Sequence, residues 1–296
     1  PNTFVASANC ALYCGAQVDF VDIDQRTCNL CPHKLEEKLI AAEKTGKLPK
    51  IVVPVHLTGQ PCDMAAIHAL SQKYGFRIIE DASHAIGGQY KSEPIGNGRY
   101  SDITVFSFHP VKIITTAEGG MALTNSDELA TRMGLLRSHG ITRDPALMTQ
   151  PMDRMTDMQA ALGTSQMTRL GAYVKRRHEI ADRYNQLLAD LPLTLPWQHP
   201  DSYSAYHLYV IRLQLDNIQR SHLQVFDALR AKDIMVNLHY IPVHTQPYYQ
   251  QMGFKQGDYP VAERYYREAI SIPMHPSLTQ GEQDYVVSSL KEAMGV

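Results

Sequence analysis

The sequence predicts an α/β fold, in which a large first domain with a mostly parallel sheet is followed by a smaller α+β C-terminal domain. Two observations lead to this prediction. Strand and helix signals alternate along the first half of the 296-residue chain, which is typical of a parallel sheet covered by helices. The second half opens with a long amphipathic pattern and then mixes strands and helices without regular alternation.

The elements of the first half are predicted from short apolar runs and from helix caps. Five strand patterns lie at 16–24, 50–56, 76–81, 101–109 and 119–125. One helix is expected between a cap at Asp63 and the stop at Gly75, and another between Ser126 and Gly140. Since the helices separate the strands, the strands are expected to run mostly in parallel.

The second half begins with a proline-free helical pattern from about Thr156 to Leu188, which we expect to connect the two domains. Further strands are predicted at 205–215 and 234–240, and further helices at 221–232, 261–274 and 279–294. The expected domains are therefore 1–155, a connecting helix 156–190 and a small domain 191–296. Because the chain opens within a strand-to-helix pattern, an N-terminal part of the large domain is expected to be missing.

The composition excludes several functional classes. The net charge is −2 and no block of like charge occurs, so a nucleic-acid partner is not expected. No apolar run reaches the length of a membrane span, and no signal peptide is visible at the N-terminus. These features predict a cytoplasmic protein without a membrane partner.

The five cysteines cluster in the first quarter of the chain. Cys28 and Cys31 have the spacing of half a zinc site, but no second pair at ligand spacing completes it. The sequence therefore predicts reduced thiols and no metal site.

Three residues with complementary chemistry follow two predicted strands. Asp81 ends the pattern 76–81, Ser107 lies near the end of the next strand, and Lys112 follows in the loop. Ligands of open α/β sheets bind beyond the carboxyl ends of the strands, so parallel neighbours would bring the three residues to one rim. Apolar or hydroxyl-bearing residues flank Lys112, and a lysine kept from water has a lowered pKa and a nucleophilic amine.

This combination matches the needs of pyridoxal phosphate, which requires a Schiff-base lysine, a carboxylate against its ring nitrogen and hydroxyls around its phosphate. Lys112, Asp81 and Ser107 supply one of each. A phosphate-loop role for Lys112 fails because the residues before it do not form G-x-x-x-x-G-K-[ST]. His84 is placed to lie over the ring or to bond its 3-oxygen, with a satisfied turn histidine as an equal alternative, and Phe4 is a candidate aromatic wall.

The ordered motifs "EDASHAIGG", "VFSFHPVKIITTAEGGMALTN", "LRSHGI", "RMTDMQAALG" and "VNLHYIPVHTQPYY" resemble the DegT-type sugar-nucleotide aminotransferases. These are fold-type I pyridoxal-phosphate enzymes, and the resemblance covers nearly the whole chain. The phrase "SFHPVK" with "TTAEGG" is most similar to family members of pseudaminic acid biosynthesis. The resemblance implies amination at C4 of a UDP-linked 4-keto-6-deoxy-N-acetylhexosamine, with glutamate as amino donor, for a surface glycan.

Site residues are carried over from the family position by position. The resemblance implies that Lys112 is the Schiff-base lysine, Asp81 the partner of the ring nitrogen, Ser107 a phosphate ligand, His84 a ring contact and Phe4 the aromatic beside the cofactor. The positions expected to approach the substrate are Thr58, Gly59, His239, Tyr240, His244 and, near the partner subunit's site, Arg154.

The resemblance also implies a homodimer with its active site at the subunit interface. The chain departs from the family in two places. The N-terminal Gly-Thr or Gly-Ser turn that binds the cofactor phosphate is not present, and 150–157 joins directly where members carry a stretch that reaches the other subunit.

Three alternatives remain open at this point. The chain resembles other nucleotide-sugar 4-aminotransferases, of the 4-amino-4-deoxyarabinose or dTDP-sugar type. A sugar 3-dehydratase of the same fold has histidine at the position of Lys112, so Lys112 argues against it. The third alternative is a non-catalytic homologue that binds the cofactor or a sugar.

Overall fold

The computed structural model describes residues 1–138 and 154–296. Its first half contains the helices α1 (Ala6–Tyr13), α2 (Pro32–Lys44), α3 (Met64–Tyr74) and α4 (Asp127–Arg137). The strands of the same half are β1 (Ile51–Val52), β2 (Arg77–Asp81), β3 (Gln89–Tyr90), β4 (Glu93–Pro94), β5 (Ile103–Ser107) and β6 (Gly120–Leu123).

The central sheet has the strand order β1-β2-β5-β6. The pairs β1–β2 and β2–β5 are parallel, whereas β5–β6 is antiparallel, so the prediction of a mostly parallel sheet is confirmed. Asp81 is opposite Val105 in the β2–β5 register. Ser107 lies two residues farther along β5, and both strands therefore end at the same edge of the sheet.

Helix α3 begins and ends as the sequence predicts. The carboxylate of Asp63 accepts a hydrogen bond from the amide of Ala66 at 3.2 Å, and Gly75 closes the helix with φ 77°. Helix α4 starts after the predicted cap, Ser126, whose hydroxyl accepts from the amide of Leu129. The end predicted for it, Gly140, lies outside the described residues.

The second half contains the helices α5 (Asp157–Met167), α6 (Leu170–Leu187), α7 (His222–Arg230), α8 (Pro247–Gln250), α9 (Pro260–Glu268) and α10 (Gln280–Met294). Its strands are β7 (Leu193–Thr194), β8 (Ser202–Tyr203), β9 (Tyr209–Leu213) and β10 (Ala269–Ile272). The antiparallel sheet β10-β9-β7 packs with α6, α7 and α10 around a core that includes Tyr184, Ile211 and Leu229.

Three sequence predictions need correction in this half. The continuous pattern from Thr156 to Leu188 is two helices, because α5 stops before Thr168, whose hydroxyl donates to the Ser165 carbonyl. The helix predicted over 261–274 ends at Glu268, and Ala269–Ile272 instead form a fully buried strand against β9. The strand predicted over 234–240 is reduced to an isolated bridge between Asn237 and Ser271.

The strand predicted over 16–24 is also wrong. Only Ile23 forms a β-bridge there, with Leu30. The carboxylates of Asp19 and Asp22 accept hydrogen bonds from the amides that follow them, at 2.7 and 2.9 Å, and such local bonds compete with strand pairing.

Asp22 joins the two halves of the chain. Its buried carboxylate accepts from the amides of Val261 at 3.0 Å and Ala262 at 2.9 Å, and so caps the N-terminus of α9 from a distant part of the sequence. Strand β3 of the first half also pairs with β8 of the second. Along the described ranges 1–138 and 154–296, no helix is both long enough and apolar enough to cross a membrane.

We expect Asp22→Ala to lower the free energy of unfolding by about 2 kcal/mol, because the amides of Val261 and the buried Ala262 lose their acceptor. Urea unfolding followed by circular dichroism measures the change. Asp190→Ala, which removes an exposed carboxylate, is the control and should leave the midpoint unchanged. An unchanged midpoint for Asp22→Ala would contradict the capping role.

Candidate active site

Asp81 is fixed at the end of β2 by two hydrogen bonds. Its Oδ2 accepts from the hydroxyl of Ser7 in α1 at 2.6 Å, and its Oδ1 accepts from the amide of Ser83 at 3.1 Å. These bonds orient the carboxylate at the sheet edge, where a cationic ring nitrogen can be paired with it.

Lys112 lies in the loop between β5 and β6, where it is half-buried. Burial lowers the pKa of its amine below the ordinary value, while the negative charge of Asp81 partly opposes the shift. Lys112 follows β5, whose end lies at the same edge of the sheet as the end of β2 with Asp81. A lowered pKa increases the fraction of neutral, nucleophilic amine.

His84 lies in the turn after β2 and is buried. Its Nε2 is 3.1 Å from the hydroxyl oxygen of Tyr240, and its ring is stacked on the Tyr240 ring with centroids 6.0 Å apart. Burial lowers the pKa of His84 well below its ordinary value, and the charges of Lys112 and His239 lower it further. His84 is therefore neutral at neutral pH.

Ser107 and Phe4 flank this group. Ser107 ends β5, and its hydroxyl oxygen accepts from the amide of His109 at 3.4 Å, which leaves the hydroxyl proton available for a phosphate oxygen. The ring of Phe4 is 61% exposed and packs on Tyr240 with centroids 6.2 Å apart. An exposed aromatic ring at this position is available to contact a planar ligand.

Thr58 and Gly59 form a tight turn against the second half of the chain. Gly59 has φ 106°, and a Cβ there would lie 2.9 Å from the carbonyl oxygen of His84. The carbonyl of Gly59 accepts from the amide of Ala205 at 3.0 Å, and that of Thr58 accepts from Leu208 at 3.1 Å. Both residues therefore bind the segment 205–208 through the backbone, and Gly59 also lies close to the backbone of His84.

The structure places the remaining sequence-predicted residues in different surroundings. His239 is beside Tyr240, and burial together with the charge of Lys112 lowers its pKa to about 4. His244 is fully buried, with Nε2 2.9 Å from Glu263 Oε1, so the geometry assigns it to packing. Arg154 is exposed at the start of α5 and forms an ion pair with Asp157 at 3.2 Å.

We expect Glu263→Gln to lower the free energy of unfolding at neutral pH but not in acid. Burial alone would raise the pKa of Glu263, but hydrogen bonds from His244 and from the amide of Gly257 outweigh it and hold the pKa below the ordinary 4.5. The stabilisation is therefore complete above pH 4.5 and is lost as the pH falls through the lower, folded-state pKa. Urea midpoints should differ between wild type and Glu263→Gln at neutral pH and converge in acid, whereas a constant difference would contradict this.

A buried pair behind the site holds the end of β2 in place. His56 Nδ1 accepts from the amide of Cys62 at 3.1 Å, so its Nε2 proton is donated to Glu80 at 2.8 Å. The amide of His56 also donates to the carbonyl of Asp81 at 3.0 Å. Cys62, His56 and Glu80 have the composition of a hydrolytic triad, but they are buried and Nδ1 is occupied, so the set is structural.

Sequence reasoning missed two residues of the site. Ser7, which bonds Asp81, gives no local signal because its partner lies 74 positions away. His207 packs against His84 with ring centroids 4.5 Å apart, and it occurs in the mostly apolar run predicted as the strand 205–215. A histidine within such an apolar run was the available signal. In 1–138 and 154–296, no group of three or more metal-ligating residues is assembled.

Comparison with known protein families identifies the kind of enzyme to which this rim of residues belongs. Residues 1–291 match the model of the DegT/DnrJ/EryC1/StrS aminotransferase family. The chain belongs to this family. The aminotransferase depends on pyridoxal phosphate, as the sequence resemblance implies.

Relatives and solved structures agree with this assignment. The aminotransferase is 37% identical to the spore coat polysaccharide biosynthesis protein SpsC of Bacillus subtilis (strain 168) over 308 aligned residues, which cover 99% of this chain and 77% of SpsC. A DegT DnrJ EryC1 StrS aminotransferase from Brucella abortus superposes with a TM-score of 0.90 at 29% identity, covering 100% of this chain and 78% of that one.

A further solved structure is Helicobacter pylori PseC, described as an aminotransferase involved in the biosynthesis of pseudoaminic acid. It superposes on the aminotransferase with a TM-score of 0.89 at 29% identity, and the match covers 100% of this chain and 78% of PseC. These superpositions confirm the predicted fold-type I architecture.

The residues at the rim fit the cofactor. Lys112 offers an amine of lowered pKa, Asp81 a fixed carboxylate and Ser107 a hydroxyl proton that no acceptor among the described residues binds. His84 has a neutral ring whose Nδ1 is buried without a hydrogen-bond partner among the described residues. Such a donor set suits a ligand with an aldehyde, a basic ring nitrogen and a phosphate.

Proposed function

We propose that the aminotransferase transfers the amino group of glutamate to C4 of a UDP-linked 4-keto-6-deoxy-N-acetylhexosamine, for the synthesis of pseudaminic acid or a related surface glycan. The observation that carries the catalytic part is the half-buried Lys112 after β5, at the sheet edge where hydrogen bonds from Ser7 and Ser83 fix the carboxylate of Asp81. The names of SpsC and PseC support the sugar part, because both refer to the biosynthesis of a polysaccharide or of a sugar acid.

The site residues have separate roles in this proposal. Pyridoxal phosphate supplies an aldehyde that binds amines covalently and a ring that accepts electrons. Lys112 Nζ holds the cofactor covalently and, when an amino donor replaces it, moves the proton at the donor's Cα. Asp81 keeps the ring nitrogen protonated, Ser107 donates to the phosphate and Phe4 covers the ring. His239 and Tyr240 approach the substrate side.

We propose a homodimer in the cytoplasm, with the large cofactor-binding domain at 1–155, the connecting segment at 156–190 and the small domain at 191–296. Support for a partner comes from α5, which buries none of its residues although it carries apolar side chains. Met158 on this helix is 83% exposed. The adjacent Arg154 is then placed to reach the partner subunit's site.

Absorbance spectroscopy and a substrate panel test the proposal. The protein loaded with pyridoxal phosphate should show a band near the visible edge, which borohydride converts to a covalent adduct at Lys112 and which glutamate bleaches. The bleached protein should then regain the band with a UDP-linked 4-keto-6-deoxy-N-acetylhexosamine. A protein that binds the cofactor but is bleached by no amino donor would be a non-catalytic homologue.

The identity of the recovering sugar decides between the related substrates. Recovery only with dTDP-linked 4-keto sugars, or only with the 4-keto precursor of 4-amino-4-deoxyarabinose, would overturn the UDP-hexosamine assignment while leaving the transaminase assignment intact. Analytical ultracentrifugation of the loaded enzyme measures the proposed dimer.

A further inference from the structure

The hydroxyl of Tyr240, a residue expected to face the substrate, is hydrogen-bonded to a buried histidine instead. Its oxygen is 3.1 Å from Nε2 of the buried His84, while the two rings are stacked with an interplanar angle of 27°. His84 also packs against His207, with ring centroids 4.5 Å apart. Nδ1 of His84 is buried, and within 1–138 and 154–296 no hydrogen-bond partner reaches it.

Both partners of this hydrogen bond are neutral. Burial lowers the pKa of His84 well below its ordinary value, and nearby Lys112 and His239 add to the effect. Burial and the charge of Asp81 raise the pKa of Tyr240 above its ordinary value, so the phenol keeps its proton. A neutral imidazole has one N–H and one lone pair, and the proton can lie on either nitrogen.

Two arrangements are possible, and one of them is favoured. If the hydroxyl of Tyr240 donates to Nε2, the proton of His84 is on Nδ1. If Nε2–H donates instead, the hydroxyl proton of Tyr240 has no other acceptor in the part of the chain that the structure describes. The imidazole nitrogen is also far more basic than a phenol oxygen, so O–H···N pairs the better donor with the better acceptor.

We propose that Tyr240 is a positioning residue that holds His84 as the Nδ1-protonated tautomer, with the Nε2 lone pair occupied. His84 then offers the cofactor a neutral ring and does not compete for protons with Lys112, whose amine remains the mobile base of the site. The inference concerns the cofactor side of the site and does not depend on the identity of the sugar.

Tyr240 exerts this effect from the second half of the chain. The segment before it is bridged to β10 through Asn237 and Ser271, and His239 Nδ1 lies 2.7 Å from the hydroxyl of Ser271. The hydroxyl of Tyr265 donates to the carbonyl of His239 at 3.0 Å. These bonds to β10 and to Tyr265 hold the segment of Tyr240 in place, so that the hydroxyl of Tyr240 lies beside His84.

Nuclear magnetic resonance tests the tautomer in the whole chain labelled with ¹⁵N-histidine. Long-range ¹H–¹⁵N correlations distinguish Nδ1–H from Nε2–H, and the His84 signals are assigned by their loss in His84→Gln. We expect Nδ1–H in the wild type at neutral pH. In Tyr240→Phe the tautomer ratio should move toward Nε2–H by about five-fold, the effect of losing one neutral hydrogen bond.

A matched control separates positioning from a loss of stability. Tyr209 is a buried phenol of the small-domain core whose hydroxyl donates to Asn185 at 2.7 Å, and Tyr209→Phe should leave the His84 signals unchanged. In Tyr240→Phe, but not in Tyr209→Phe, the pKa of His84 read from the same spectra should rise, because the bond that favours the neutral ring is lost.

Two results would overturn the proposal: an Nε2–H signal for His84 in the wild type, or an unchanged tautomer ratio in Tyr240→Phe. The measurement is made on the cofactor-free protein and repeated on the loaded one. A failure of the proposed function would appear as missing donor bleaching, whereas a failure of this inference would appear only in the histidine spectra.

Discussion

Lys112→Ala is expected to lower kcat for transamination by about 10²–10⁴-fold or more, because the amine is both the covalent anchor and the proton carrier. The half-buried position of Lys112 means that the substitution leaves no large cavity, so folding should be preserved. Single-turnover assays with glutamate measure the effect, and circular dichroism checks the fold.

Lys175→Ala is the matched control, because Lys175 is an exposed lysine of α6. It should retain full activity and the borohydride-stable adduct. A Lys112→Ala protein that still forms this adduct and still turns over at the wild-type rate would place the catalytic lysine elsewhere.

Asp81→Asn is expected to lower kcat by about 10²-fold or more, since an amide cannot stabilise a protonated ring nitrogen as a carboxylate does. The substitution has a second consequence. The charge of Asp81 raises the pKa of Lys112, so removing the charge lets burial lower that pKa further.

The second consequence is measured on the cofactor-free protein, from the pH dependence of the rate at which the amine of Lys112 is acetylated. The midpoint of this pH profile should move to lower pH in Asp81→Asn, and Asp190→Asn at an exposed position should leave the profile unchanged. A shift to higher pH, or an undiminished kcat, would contradict the proposed pairing.

The sheet edge of the site could be predicted from the sequence because its signals are local. Short apolar runs place β2 and β5, and Asp81 and Ser107 lie at their ends, so the rim follows from the rule for parallel strands. The helix α3 was predictable in the same way, since Asp63 and Gly75 are specific caps.

The supporting contacts could not be predicted because they join distant segments. The bond between Tyr240 and His84 spans 156 positions, and that between Ser7 and Asp81 spans 74. The strand β10 was missed for a related reason: its burial against β9 overrides the helical pattern that continues from α9. Local propensity carries no information about which distant strand will cover a segment.

The backbone turn at Thr58 and Gly59 has a consequence for sequence variation around the site. The two halves meet there main chain to main chain, through the amides of Ala205 and Leu208. These hydrogen bonds use main-chain atoms alone, so they place no demand on the side chains of Ala205 and Leu208. Gly59 is the constrained position of this turn, because a Cβ there would lie 2.9 Å from the amide nitrogen of Tyr206 as well as from the carbonyl oxygen of His84.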